Sequence, residues 1–335
     1  MSSSPSSRKK RHILVTGGGG FIGSHLCEAL LVRGYSVTAL DNFVTGQMRN
    51  LDEARDHEDF SLVEADVCDP LRADLWPLLK RDGLFGVFHF ACPASPIDFE
   101  KIPMEILKVD SVGTIHAVDL AVKFGARLML ASTSEVYGDP LVHPQKETYW
   151  GNVNPIGPRA CYDETKRFGE AYVSSAARPA SRGGMGLNAG IVRIFNTYGP
   201  RMRADDGRVV PELCIQGLQG KPLTIHGDGK QTRSFCYVSD LVEGIVRAFE
   251  SSQMGPFNLG NPSERTILEF AEAVRQLTGT RSSIEHLPGR EDDPRRRCPD
   301  ITRAKSELGW TPKIDLQEGL RRTIEYFRDD LAREG

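Results

Sequence analysis

Short apolar, β-branched runs alternate with longer amphipathic stretches from Arg11 to about Ala131. HILVTGG, YSVTALDN, FSLVEADV, GVFHFACP and RLMLAST predict strands, with FIGSHLCEALLVRG and PMEILKVDSVGTIHAVDLAVKFGA as helices among them. Strand, helix, strand in repetition predicts an α/β fold of Rossmann type with a doubly wound parallel sheet, because parallel neighbours need a crossover between them. YDETKRFGEAYVSSAA predicts a further helix, and AGIVRIFNTYGP a further strand after the loop ARPASRGGMG. Beyond about Pro200 the elements shorten and turn residues crowd together in HGDGKQ, GNPSE and LPGREDDPRRR, until LQEGLRRTIEYFRDDLA closes the chain as a helix. The organisation expected is a disordered tail over 1–10, a dinucleotide-binding domain over 11–200, and mainly a smaller α/β substrate lobe over 201–335.

TGGGGFIG follows the first predicted strand and opens the first helix. Gly17, Gly20 and Gly23 satisfy G-x-x-G-x-x-G, so the backbone can turn tightly and bring a pyrophosphate onto the unpaired N–H groups of the helix start, with Phe21 and Ile22 in the same turn. The second strand ends in Asp41, about two dozen residues on, placed to accept hydrogen bonds from the adenosine ribose. A carboxylate there favours NAD over NADP, since a 2′-phosphate would meet like charge. Asp66 and Val67, ending the third strand, offer a carboxylate and an N–H to the adenine edge.

Composition narrows the partner. The 335 residues are 39% hydrophobic and 26% charged, with a formal net charge of −3. That balance argues for a folded protein and gives no electrostatic reason to expect nucleic acid. No run of about 18 apolar residues occurs, and the polar, basic start MSSSPSSRKKRH reads as a solvated tail, so a soluble cytoplasmic protein with no membrane partner is expected. Cys27, Cys68, Cys92, Cys161, Cys214, Cys236 and Cys298 lie far apart without CxxC pairs, which predicts reduced thiols and no metal site.

Candidate chemistry sits in ASTSEVYGDP, where Thr133, Ser134 and Glu135 end a strand, and in YDETK, where Tyr162 and Lys166 are four residues apart on one helix face. A phenol is a poor base at neutral pH, but a neighbouring ammonium favours phenolate. Together with the glycine turn these residues resemble the extended short-chain dehydrogenase/reductases that act on nucleotide sugars, and the likeness spans nearly the whole chain. DNFVTG, ACPASP, YWGNVNPIGPRACYDETKR, RIFNTYGPRM, GDGKQTRSFCYVSDLV, NLGNP and DDPRRRCPDI are similar to the UDP-glucuronate decarboxylase (UDP-xylose synthase) branch.

That resemblance implies NAD, a UDP-sugar substrate and a homodimer. It adds Asn42, Phe43 and Gly46 of DNFVTG, Phe90 and Ala91 ahead of CPASP, and Thr197 of RIFNTYGPRM to the cofactor contacts, with Tyr162 and Lys166. Lys108, Asn196, Arg233 and Arg297 join Glu135 as substrate contacts, and Arg295 and Arg296 are expected to be solvated. The implied reaction oxidises carbon 4 of the sugar to a ketone β to the carboxylate, which lets carbon dioxide leave. The enolate is then protonated and hydride returned, giving UDP-xylose. Thr133 would hold the reacting hydroxyl and Tyr162 take its proton, while Lys166 lowers the phenol's pKa.

Related 4,6-dehydratases carry an Asp where this chain has Ser134, and a hydroxyl is too weak an acid to expel water from carbon 6. A C4 epimerase, or a decarboxylase that releases the 4-keto pentose, is compatible with Ser134. A non-catalytic NAD-binding scaffold would need neither Tyr162 nor Lys166. The chain departs from the branch at Asp110 (usually Asn), Asp98, Thr165 (usually Gly), Glu212 (usually Asn) and Cys298 (usually Lys). Asp98 and Glu212 would add negative charge near an anionic substrate.

Overall fold

The computed structural model describes residues 10–70, 83–289 and 296–334. The predicted tail, apart from Lys10, and Arg295 lie outside those residues. Six of the strands take their predicted places: β1 His12–Thr16, β2 Ser36–Asp41, β3 Phe60–Glu64, β4 Gly86–His89, β5 Arg127–Thr133 and β6 Ala189–Ile194. With Phe257–Leu259 they form a seven-stranded parallel sheet in the order 257–259, β6, β5, β4, β1, β2, β3. The order reverses between β1 and β4, and the crevice outside the carboxyl ends at that switch is where such sheets bind ligands.

Ile13, Leu14, Val15, Val87, Phe88, Leu128 and Met129 are at most 1% exposed, so neighbours on both faces of a strand are covered. This explains why the strands read as continuous apolar runs and not as alternations. Helix α1, Phe21–Val32, packs on one face beside Val238–Glu250, a helix of the C-terminal part. That helix and the strand Phe257–Leu259 bring the chain back to the sheet after residue 200, so a cut there divides the sequence but not the sheet.

The long helix expected over 103–126 is interrupted. Pro103–Lys108 and Thr114–Phe124 are α-helical, but Val109–Gly113 between them is a π turn. Thr114 Oγ1 donates to the Asp110 carbonyl at 2.6 Å, and Ser111 Oγ to that of Leu107, so hydroxyls compete locally for helix carbonyls. Gly113 lies so close to Val67 that a Cβ would meet its side chain at 2.8 Å. Asp110, within this turn, is buried.

A small sheet beyond the cleft has Thr232–Ser234 at its centre, Glu264–Thr266 antiparallel on one side and Arg296–Arg297 parallel on the other. Its register sets Arg233 opposite Arg297. Two guanidinium groups from distant parts of the sequence thereby reach one ladder.

Candidate active site

Gly17 has φ +72°, and a Cβ on it would stand 2.7 Å from the Phe90 carbonyl and the Ala91 nitrogen at the end of β4. A Cβ on Gly23 would meet the Gly17 carbonyl at 2.0 Å, so α1 can pack onto the turn only as glycine. Gly20 caps α1 without a side-chain bond, leaving first-turn N–H groups for a pyrophosphate. Asp41 accepts from Gly19 N and Phe43 N, each at 2.8 Å, which orients its carboxylate at the end of β2 while leaving lone pairs for ribose hydroxyls. Gly46 closes over it, since a Cβ there would lie 2.8 Å from Asp41 Oδ1. This cradle fits NAD.

Asn42 donates to Asp66 at 3.0 Å, and the Phe43 ring covers Gly19. Asp66 and Val67 line a separate small depression with Leu40 and His116, past the end of β3.

The main cleft, of about 350 Å3, runs from Gly17, Gly20, Phe21, Ile22 and Gly23 past Phe90 to Thr133, Ser134, Glu135, Tyr162 and Lys166. Asn196, Thr197, Arg233 and Arg297 line it as well. Lys108 is exposed and does not line it. The resemblance assigned Lys108 to the substrate, but it ends the helix Pro103–Lys108 exposed, and Asp110 two residues on is buried instead.

Tyr162 stacks on Phe99 with ring centroids 4.9 Å apart and lines the cleft with Thr133. Lys166 Nζ lies 5.5 Å from the Tyr162 ring centroid and donates to Asp110 Oδ1 at 2.9 Å and the Ala131 carbonyl at 3.2 Å. Asp110 Oδ2 accepts from Cys92 Sγ at 3.0 Å and Thr165 Oγ1 at 3.3 Å. Two departures from the family pattern, Asp110 and Thr165, thus belong to one network. Burial raises the phenol of Tyr162 above its usual range. Lys166 and Thr133 oppose this, while Cys92 and Asp110 add to it. Burial also works against the charge of Lys166, but Asp110, Cys92 and Tyr162 outweigh it and keep the ammonium. His89, enclosed between Thr16 and Thr114, is held neutral by burial and by Lys166, its pKa lowered to about 3.

The Asp110 carboxylate disfavours phenolate at Tyr162, so Asp110→Asn lowers the phenol's pKa. The acidic limb of kcat/KM against pH is expected to move down by roughly half a unit to one unit. A profile unchanged by the substitution would show that Asp110 has no electrostatic effect on the base.

Glu135 is the second centre. Arg297 holds it through both guanidinium nitrogens, and Arg159 Nη2 lies 2.8 Å from Oε2. Burial opposes the charge, but Arg159 and then Arg297 outweigh it and hold the carboxyl at about 2. Asp163, the next carboxyl on the Tyr162 helix, is pushed up to about 7 by burial and by Glu135, and its Oδ1 has no hydrogen-bond partner. The sequence reading assigned no role to Arg159 or Asp163. Arg159 stands three residues before Tyr162, yet nothing local pairs it with Glu135.

Burial of the Asp163 carboxyl makes the stability of the fold depend on pH. Unfolded, its carboxyl ionises near 3.8 and folded near 7, so stability falls as pH rises through that window and the penalty persists above it. Asp163→Asn should therefore stabilise the fold by on the order of 2 kcal/mol at pH 8 and by less than half of that at pH 5, read by denaturant unfolding. An equal effect at both pH values would contradict the assignment.

Negative charge near the cleft is also partly neutralised. Asp98 is buried and ion-paired with Arg203 at 3.0 Å, so it adds less repulsion than its sequence position implies. Glu212 lines the cleft and accepts from Thr224 Oγ1 at 3.1 Å. Arg296 is exposed as expected, whereas Arg297 is 4% exposed.

Residues 14–323 match the family described as GDP-mannose 4,6 dehydratase. UDP-glucuronic acid decarboxylase 1 of Arabidopsis thaliana is 50% identical over 98% of this chain and 72% of its own length. Among solved structures, UDP-glucose 4-epimerase of Thermotoga maritima with UDP-glucose superimposes with a TM-score of 0.84 at 32% identity, covering 96% of this chain and 99% of that one. UDP-glucuronic acid 4-epimerase of Bacillus cereus, in complex with UDP-glucuronic acid and NAD, gives 0.83 at 28% identity, covering 95% and 99%. The chain belongs to the GDP-mannose 4,6 dehydratase family of extended short-chain dehydrogenase/reductases, in the branch of the UDP-glucuronic acid decarboxylases.

Proposed function

We propose that this protein decarboxylates UDP-glucuronate to UDP-xylose through a 4-keto intermediate. The observation that carries the reading is that Thr133, Ser134, Glu135, Tyr162, Lys166, Arg233 and Arg297 all line one cleft, with Arg297 paired to Glu135. NAD, held by the glycine turn and Asp41, supplies a hydride acceptor at carbon 4 and the hydride that is later returned. Thr133 and Tyr162 share the hydroxyl of carbon 4, and Tyr162 takes its proton. Lys166 holds that proton-transfer site electropositive and reaches for the cofactor's ribose.

Once carbon 4 is a ketone, the bond to the carboxylate on carbon 5 can break with its electrons drawn into that ketone. Ser134, 2% exposed, is a neutral hydrogen-bonding group for the substrate carboxylate, where an Asp would repel it. Arg297 and Arg159 bring two positive charges to Glu135 alone, which leaves cationic character for a second anion. Arg233, buried on the neighbouring strand, suits the diphosphate.

Substrate handling by residues 201–335 and assembly as a homodimer are part of this proposal. The exposed apolar side chains Val112 and Phe168 lie on the two segments that such dimers pair, the π turn and the Tyr162 helix. Among the described residues no helix is long and apolar enough to cross a membrane, which is compatible with the proposed cytoplasmic location. Incubation with a panel of UDP- and dTDP-sugars, read by mass, tests the function. Loss of carbon dioxide from UDP-glucuronate with a pentose product supports it. A hexuronate epimer, or a released 4-keto pentose as the sole product, overturns it.

A further inference from the structure

His143, Glu264 and Cys298 are far apart in the sequence, but the fold brings one donor atom from each within 4.8 Å of the others. The three sit on separate segments: the loop after β5, the edge strand Glu264–Thr266, and the residue directly after the strand Arg296–Arg297. His143 Nε2 already meets Glu264 Oε2 at 2.8 Å. Cys298 is 3% exposed, with its thiol facing the Pro262 carbonyl at 3.4 Å.

These segments are braced against one another. Gln145 N donates to the Cys298 carbonyl at 2.9 Å, Cys298 N to Gln145 Oε1 at 2.8 Å, and Asp300 N to the Gln145 carbonyl at 2.9 Å. The loop that carries His143 therefore cannot move freely relative to Cys298. The other carboxylate oxygen of Glu264 accepts from Thr232 Oγ1 at 2.6 Å, which turns Oε2 toward the imidazole. A ligating carboxylate is commonly fixed in this way by a hydrogen bond to its second oxygen.

We propose that His143, Glu264 and Cys298 form a binding site for one zinc ion, with water as the fourth ligand. The donor set is one imidazole nitrogen, one carboxylate oxygen and one thiolate, a mixture that suits Zn2+ and is unsuited to Mg2+ or Ca2+, which require oxygen cages. Zinc bonds of about 2.0 to 2.3 Å at tetrahedral angles put donor atoms roughly 3.5 Å apart, so the cluster needs side-chain rotations of about 1 Å and no backbone change. On binding, Cys298 loses its thiol proton to solvent, the Nε2 proton of His143 is exchanged through water for one on Nδ1, and the His143–Glu264 hydrogen bond gives way to two metal bonds. His143 and Glu264 are partly exposed, which provides the entry path and room for the water. The chain's own departure from its branch makes the site, because the usual Lys in place of Cys298 would set an ammonium among the ligands.

The test uses untagged, metal-stripped protein titrated with Zn2+ and, separately, with Co2+. A stoichiometry of one Zn2+ per chain is expected, together with a thiolate-to-Co2+ charge-transfer band. His143→Ala and Cys298→Ser should each weaken Zn2+ binding at least tenfold, and Cys298→Ser should abolish the band. Cys298→Lys restores the branch's usual residue and guards against misfolding. It should keep the native circular dichroism and melting temperature while losing both the zinc and the zinc-dependent rise in melting temperature. One Zn2+ per chain bound undiminished by folded Cys298→Lys overturns the proposal, as does a wild-type chain that binds no Zn2+.

Discussion

Tyr162→Phe is expected to reduce kcat by about a thousandfold or more while leaving the dissociation constant for NAD within about twofold of wild type. The substitution removes one oxygen and nothing else of consequence. The ring keeps its stack on Phe99, the helix Ala160–Ala176 keeps its packing, and Lys166 keeps its bonds to Asp110 and the Ala131 carbonyl. What is lost is the group that accepts the proton as carbon 4 is oxidised. Among the described residues, Lys166, His89 and Glu135 are titratable groups of the site, and none of the three can replace it. Lys166 is held as an ammonium, His89 is enclosed behind Thr16 and Thr114, and Glu135 is held by two arginines. Turnover by product mass, beside cofactor affinity by fluorescence, separates the outcomes. A Phe variant with near-normal turnover would contradict the assignment of the base.

The parallel sheet was legible because its inner strands, β1, β4 and β5, are buried on both faces and so read as compact apolar runs, while the half-buried β3 at its edge keeps enough apolar positions to be recognised. Phe257–Leu259 escaped that reading. Three residues give no period, and only pairing with β6 across the fold makes them a strand. The glycine turn was legible for a different reason. Gly17 and Gly23 are required by contacts within the same short segment or with the adjoining strand, so the residue type itself reports the geometry.

In the site, Thr133, Tyr162 and Lys166 could be found because local spacing puts them on one strand end and one helix face. Arg159, Asp163 and Asp110 act through partners that are remote in sequence or displaced by the π turn, and local pattern carries no trace of either. The same holds for His143, Glu264 and Cys298. Metal motifs are recognised by close spacing, whereas here three separate segments supply one donor each.

Glu135→Gln is expected to lower kcat about a hundredfold while KM for the sugar nucleotide stays level or falls, and to leave oxidation at carbon 4 partly intact. The reason lies in the charges around the carboxylate. Arg159 and Arg297 contribute two positive charges, Glu135 one negative, and Asp163 is largely neutral below about pH 7. One positive charge is left over for the carboxylate of the substrate. Removing the charge of Glu135 leaves two wherever Asp163 stays protonated, so at mildly acidic pH the substrate's carboxylate is bound more firmly and is harder to lose as carbon dioxide. An anionic Glu135 close to that carboxylate raises the energy of the bound substrate instead, and the strain disappears as carbon dioxide departs. Reduced cofactor should accumulate in the variant, visible by its absorbance, with no change in the number of sugar carbons. A purely structural Glu135 predicts otherwise: both steps would fall together with stability, or both would survive equally.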